Sequence, residues 1–104
     1  MWVRLGTFHV KAGTEAALRQ VHREKVLPHV QKQPGLVANY LLEPVKAGEP
    51  FVGCTVWRTP ADGAAYESSG AAGAVVALLR DFFAGPPTLA AYETHSYTPA
   101  PPDD

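Results

Sequence analysis

The run FVGCTVW, residues 51–57, carries no charged side chain and no polar group larger than a threonine hydroxyl. Alternate side chains of a strand point to opposite faces, so a strand of this composition needs apolar cover on both. It belongs in the middle of a sheet. The first apolar stretch, WVRLGTFHV at 2–10, has the same two-sided character, with Val3, Leu5, Thr7 and His9 on one face and Trp2, Arg4, Gly6, Phe8 and Val10 on the other. A chain of 104 residues with 46% apolar content buries one modest core. Helices of the same domain can cover one face of these strands, and the other face needs a further partner.

The rest of the chain supplies the helices. After the turn at 11–14, Thr14 stands as a helix cap with Glu15 in the first turn. Leu18, Val21, His22 and Lys25 share a face, and Val26 and Val30 continue the stripe with a small rotation. Pro28 removes a donor and crowds the carbonyl of Glu24, so the helix is expected to kink or end there. LVANYLL at 36–42 reads as the second strand, and the polar EPVKAGEP at 43–50 connects it to the third, read as 51–58. Thr59, Pro60 and Asp62 form a helix start, with cap, tolerated proline and acidic third residue. SSGAAG at 68–73 is expected to break this helix near Ser69 and Gly70. Val75, Val76, Leu79, Phe82 and Phe83 then make the apolar face of a second segment, stopped by Gly85 and Pro86. TLAAYETHSY at 88–97 reads as the last strand.

The order βαββαβ predicts an α+β, ferredoxin-like fold: a four-stranded antiparallel sheet in the order 4-1-3-2, with the helices on one face. Residues 1–98 form the domain, and PAPPDD at 99–104 reads as a disordered, proline-rich acidic tail. The economical cover for the second sheet face is another copy of the chain, which gives a homodimer closed into a dimeric α/β barrel.

Charge excludes several partners. The net charge is −1 and the nine basic residues are scattered, so neither nucleic acid nor an anionic membrane is expected to bind. The third strand lacks the basic-glycine-aromatic motif by which this strand order reads RNA. Cys54 is solitary, which rules out an internal disulfide and fits a reducing compartment. With no apolar run of membrane-spanning length and no signal-type start, the protein is expected to be soluble and cytoplasmic.

Candidate site residues gather on the helix side of the sheet. Gly53, Thr55 and Trp57 share a face by alternation, and Gly6 and Phe8 share it on the neighbouring strand. Two glycines side by side would leave a hollow floor, walled by Phe8 and Trp57 and roofed by Ala64, Ala65, Tyr66 and the weak SSGAAG turn acting as a lid. The competing reading is that the small residues let helix and sheet pack closely and that Trp57 and Tyr66 are ordinary core aromatics. Histidine suits proton transfer near neutral pH. His22 on the apolar helix face and His9 near the end of the first strand can point inward and are the candidate bases. His29 follows Pro28, and His95 sits on the last strand with Glu93 and Tyr97. His22 and His29 lack a third ligand, so no metal site is expected. Arg80 complements the dipole at its helix's C-terminus. No serine or cysteine nucleophile pairs with a base, and no glycine-rich phosphate loop follows a strand.

Several local patterns occur together: the Gly-Thr turn of the first strand, Pro34-Gly35 before the second, Val56-Trp57 with a polar residue and Thr59 closing the third. They continue with Ala65-Tyr66 and serine in the helix, and with Gly85-Pro86-Pro87 leading to Tyr92. In this combination the chain resembles the antibiotic biosynthesis monooxygenase family over about residues 2 to 97. The resemblance implies a dimeric α+β barrel with a small apolar pocket between sheet and helices of each subunit. Quinone-forming members carry an Asn four residues before the strand-three Trp and a Tyr six residues after it; here those positions are Gly53 and Gly63, and only Trp57 matches. Haem-degrading members use an Asn, a Trp and an axial His, where this chain has Gly6, Tyr66 and Val76. No haem or other cofactor is therefore expected. The function implied is a cofactor-independent monooxygenase acting on a small aromatic or polyketide-like substrate, with His22 or His9 as base and Trp57, Tyr66, Phe8 and Gly53 against the ligand. The alternatives are a non-catalytic dimer that binds a small apolar molecule or serves in stress, and an isomerase or decarboxylase on the same barrel.

Overall fold

A computed structural model describes residues 1–101 of the chain. Four strands, β1 (Trp2–Phe8), β2 (Leu36–Leu42), β3 (Phe51–Trp57) and β4 (Thr88–Glu93), form one antiparallel sheet in the order β2-β3-β1-β4. The two-faced strands are the central pair, as their composition requires. The last strand is shorter than expected: His95 lies past its end, exposed, against the Ser96 hydroxyl at 3.4 Å. Of the expected tail, residues 99–101 carry no regular structure, and 102–104 lie outside the described residues.

Between β1 and β2 the chain runs as one helical rod built of α1 (Glu15–Val21), a π-helical turn at His22–Val26 and α2 (Leu27–Gln31). Its buried residues are Leu18, His22, Val26 and Val30, spaced by four. At 3.6 residues per turn each four-residue step overshoots by about 40°, so this stripe would wander about 120° around a regular α-helix. The wide turn absorbs that rotation. The Leu27 N–H bonds back to the His22 carbonyl, and the whole stripe stays on the sheet. Pro28 therefore does not end the helix. It falls in the first turn of α2, immediately after the wide turn, where a missing N–H disturbs least. Thr14 also departs from expectation, since its hydroxyl donates to the Lys11 carbonyl at 2.6 Å and caps nothing.

The second helical unit is α3 (Pro60–Ser68) followed by α4 (Ala71–Leu79) and a 3-10 turn at Arg80–Phe82. Here the cap forms as read: the Asp62 N–H donates to the Thr59 hydroxyl at 3.1 Å. The break falls at Gly70, whose φ of 87° lies in the left-handed region that glycine enters freely. On the other side of the break, the Ala71 carbonyl meets His29 Nε2 at 3.0 Å, which ties the start of α4 to the first rod.

All helices lie on one face. Against them Trp57, Phe51, Phe8 and Thr55 are buried. The opposite face is apolar and open: Leu42, Tyr40 and Tyr92 are 49%, 52% and 57% exposed, around half-buried Val3, Leu5 and Val56. Among the described residues no helix is long and apolar enough to cross a membrane.

Candidate functional site

The register of the central strands builds the floor of a chamber. Trp2 pairs with Trp57, Arg4 with Thr55, Gly6 with Gly53, and Phe8 with Phe51, all on the helix side. The expected pair of glycines is thus a true cross-strand pair. A methyl group built on Gly53 would find nothing nearer than the Gly6 carbonyl oxygen at 3.9 Å, and one on Gly6 would meet only Leu89 at 3.5 Å. The floor is open. Gly63 is the opposite case, because a methyl there would collide with the Trp2 ring. Both readings of the small residues therefore hold, each at its own position: Gly63 permits close approach of α3 to the sheet, and Gly6 with Gly53 leaves space.

That space is a cavity of about 70 Å³. Its floor is Gly6 and Gly53, its apolar end Phe8, Leu79 and Phe83, and its roof His22, Val26, Val30, Tyr66, Val75 and Val76. Pro87 and Leu89 form the rim. Phe8 is held by Phe83 at 4.8 Å and Phe51 at 6.1 Å between ring centres. Of the expected site residues, His22, Tyr66, Phe8 and Gly53 meet here.

Two others do not. His9 is exposed beyond the end of β1, beside Glu15 and the loop at 43–49 and away from this cavity. Its position follows from alternation, since Phe8 takes the inward place. Trp57 is fully buried and stands behind the wall. Its ring packs on Tyr66 at 4.7 Å, and its Nε1 donates to the Thr55 hydroxyl at 2.9 Å, so it supports two lining residues without reaching the space itself.

The polar groups form one row across the sheet. Asn39, Thr55 and Arg4 sit opposite one another on β2, β3 and β1. The Arg4 Nε donates to Glu67 at 2.8 Å, and its guanidinium lies 5.7 Å from the centre of the Tyr66 ring. Asn39 was not anticipated. If alternation ran unbroken from Leu36, Tyr40 would face inward and Asn39 outward. The β2–β3 register instead shifts between Leu36 and Ala38, and this irregularity turns Asn39 and Leu41 to the helix side. The available signal was the lone amide in the otherwise apolar LVANYLL.

His22 is 7% exposed, and burial alone pushes its pKa below the ordinary histidine value. The imidazole is thus neutral at pH 7, a proton acceptor facing the chamber from the widened helical turn. Burial also raises the Tyr66 hydroxyl above its usual range, so it stays protonated. Among the described residues no cluster of three His, Cys, Asp or Glu is set for a metal.

A family model described as antibiotic biosynthesis monooxygenase matches residues 1–78. No curated protein sequence matches the chain. Among solved structures, a MhuD point mutant with two manganese protoporphyrin IX molecules bound per active site is similar at 25% identity and a TM-score of 0.78, covering 96% of this chain and 100% of that one. A Nitrosomonas europaea protein provisionally named as an antibiotic biosynthesis monooxygenase is similar at 20% identity and a TM-score of 0.75, covering 92% and 100%. The Mycobacterium tuberculosis protein Rv0793 is similar at 14% and 0.73, covering 94% and 98%. The α4 side of the chamber presents Val75, Val76 and Leu79, none of them a metal donor, so no axial ligand for a porphyrin comes from that helix.

Proposed function

Because the chain belongs to the antibiotic biosynthesis monooxygenase family, we propose that it oxidises a small, electron-rich aromatic compound with dioxygen, without a cofactor, in the chamber between β1, β3 and the helices. The observation that carries this reading is the neutral, buried His22 ring facing an open glycine floor inside an apolar enclosure. His22 takes a proton from the substrate, leaving an anion in water-poor surroundings. The anion passes an electron to dioxygen, the two radicals join at the ring carbon, and loss of water from the resulting peroxide leaves a carbonyl. The phenolic O–H, one ring C–H and O₂ thereby become two C=O groups of a quinone and H₂O, with the substrate as its own reductant. Tyr66 and Phe8 contact the ring, while Trp57 holds Tyr66 and Thr55 in place.

The chamber as it stands is about half the size of an apolar cavity of ~150 Å³ that admits benzene. Entry of one ring therefore requires the Pro87–Leu89 rim or the turn at Gly70 to give way. The open sheet face supports a homodimer, in which a second copy covers Leu5, Tyr40, Leu42, Val56 and Tyr92. Residence in the cytoplasm belongs to the same proposal and rests on the single unpaired Cys54. A second reading, a binding protein without catalysis, is favoured by Gly53 and Gly63 standing where quinone-forming members carry polar residues.

Oxygen uptake over a panel of dihydroxy-aromatic compounds in metal-free buffer tests the choice. The oxidase reading expects uptake that is lost in His22→Gln and in Gly53→Leu, which fills the floor. Ligand-induced thermal stabilisation without any uptake would leave the binding reading.

A further inference from the structure

Asn39, one of the residues lining the chamber, carries a donor with nothing to donate to. The Nδ2 of Asn39 is buried and has no hydrogen-bond partner. Such groups are rare in folded proteins, because leaving one unpaired forfeits its hydration. This one is held in place by a specific device: the register shift between Leu36 and Ala38 turns it inward. Irregularities of this kind cluster beside functional sites, where they re-aim a side chain.

Its neighbour completes an arrangement. Thr55 is the direct cross-strand partner of Asn39, which puts the two side chains about 5 Å apart on the chamber side. The Thr55 oxygen already accepts from Trp57 Nε1. A hydroxyl has one proton and two acceptor sites, so with one acceptor site taken its proton is still available for donation. Beyond Thr55 in the same row stands the Arg4 guanidinium, ion-paired with Glu67. The remaining lining at the other end is glycine, phenylalanine and leucine. One end of the chamber is thus built for an oxygen, the other for hydrocarbon.

We propose that the Asn39 amide and the Thr55 hydroxyl form a two-donor seat for a single ligand oxygen, so that the chamber selects phenols or ring ketones over hydrocarbons of the same shape. Asn39 is then a positioning residue for an oxygen that becomes negative. Donors aimed at developing charge in a dry site stabilise the anion that a base on the roof produces. The inference rests on the chamber being the substrate site of the proposed oxidase, and it assigns the class of compound admitted and the end that carries its oxygen.

The full chain is titrated with phenol, toluene and 4-nitrophenol, the last followed by the absorbance of its phenolate. Phenol is expected to bind more tightly than toluene. Asn39→Leu should weaken phenol binding by about fivefold, on the scale of one hydrogen bond between neutral groups, while toluene binding is retained or improved. Bound 4-nitrophenol should ionise at lower pH in the native protein than in Asn39→Leu. Asn39→Asp keeps the shape but offers a negative group, and should reverse the preference for the phenolate. Phenol affinity and nitrophenol ionisation unchanged in both variants would overturn the seat while leaving the chamber as a ligand site. Failure of the native protein to bind any of the three would overturn the chamber reading as well. Binding with the expected preference but no oxygen uptake would sink the oxidase reading alone.

Discussion

Two glycines in this protein meet the same substitution with opposite results. Alanine in place of glycine inside a strand or helix is worth about 0.5–1 kcal/mol. At Gly53 the new methyl group meets nothing closer than 3.9 Å, so that gain is realised without strain. A domain of about 100 residues shifts its melting temperature by roughly 4–8 °C per kcal/mol, so Gly53→Ala should raise Tm by about 2–8 °C. At Gly63 the same gain of about 0.5–1 kcal/mol on the helix is set against overpacking into the Trp2 ring, which costs about 1–3 kcal/mol. The obstacle is a rigid aromatic held between α3 and the sheet, which favours the upper part of that range. A net loss of about 1–2 kcal/mol lowers Tm by about 4–16 °C. Calorimetry of both variants at one protein concentration measures this, the concentration being fixed because self-association would move Tm by itself. Gly53→Ala should also weaken ligand binding, since its methyl group occupies the floor. A fall in Tm for Gly53→Ala, or shifts of the same sign in both variants, would refute the distinction between an open floor and a packed contact.

His22 should give stability a pH dependence. Its folded pKa lies below the ordinary 6.5, so between the two values the unfolded chain binds more protons; its stabilising share is complete above about pH 6.5 and declines as pH falls through the window, by at most about 1.4 kcal/mol per pH unit. Urea denaturation across that range should show a shallower decline for His22→Gln. Thr59→Ala removes the acceptor for the Asp62 N–H and should cost about 1 kcal/mol, visible as a Tm lowered by about 4–8 °C. Leu5→Glu puts a charge in the middle of the open sheet face and should convert a dimer to a monomer in sedimentation velocity; a native protein that is already monomeric at tens of micromolar would remove the basis for that proposal.

The sheet and the helix side were legible because strand alternation and apolar content are local signals. FVGCTVW had to be central, and the Gly6–Gly53 hollow followed once β1 and β3 were neighbours. Thr59 capped as read because the pattern of cap, proline and acid needs only four consecutive residues. What the residues did not show lay where the backbone departs from regular geometry. Regular periodicity turns Tyr40 inward on β2, and a one-residue irregularity brings in Asn39 instead. Pro28 reads as a helix end until the wide turn ahead of it is known. Trp57 occupies the right face but a deeper layer, and depth depends on what neighbouring strands and helices contribute, which no run of residues states by itself. His9 is exposed for a simpler reason: it stands between Phe8 and Val10, which both turn to the core, so alternation points it away from the chamber.

The wide turn at 22–26 also bears on how such a chamber can change over generations. A helix that accommodates a surplus residue can shed it. Excision of one residue there would restore an ordinary pitch and set Val30 eleven positions after Leu18, about 20° from it around the axis, so that both would still face the sheet. The rod can therefore differ in length by one residue and still hold the same side chains over the glycines.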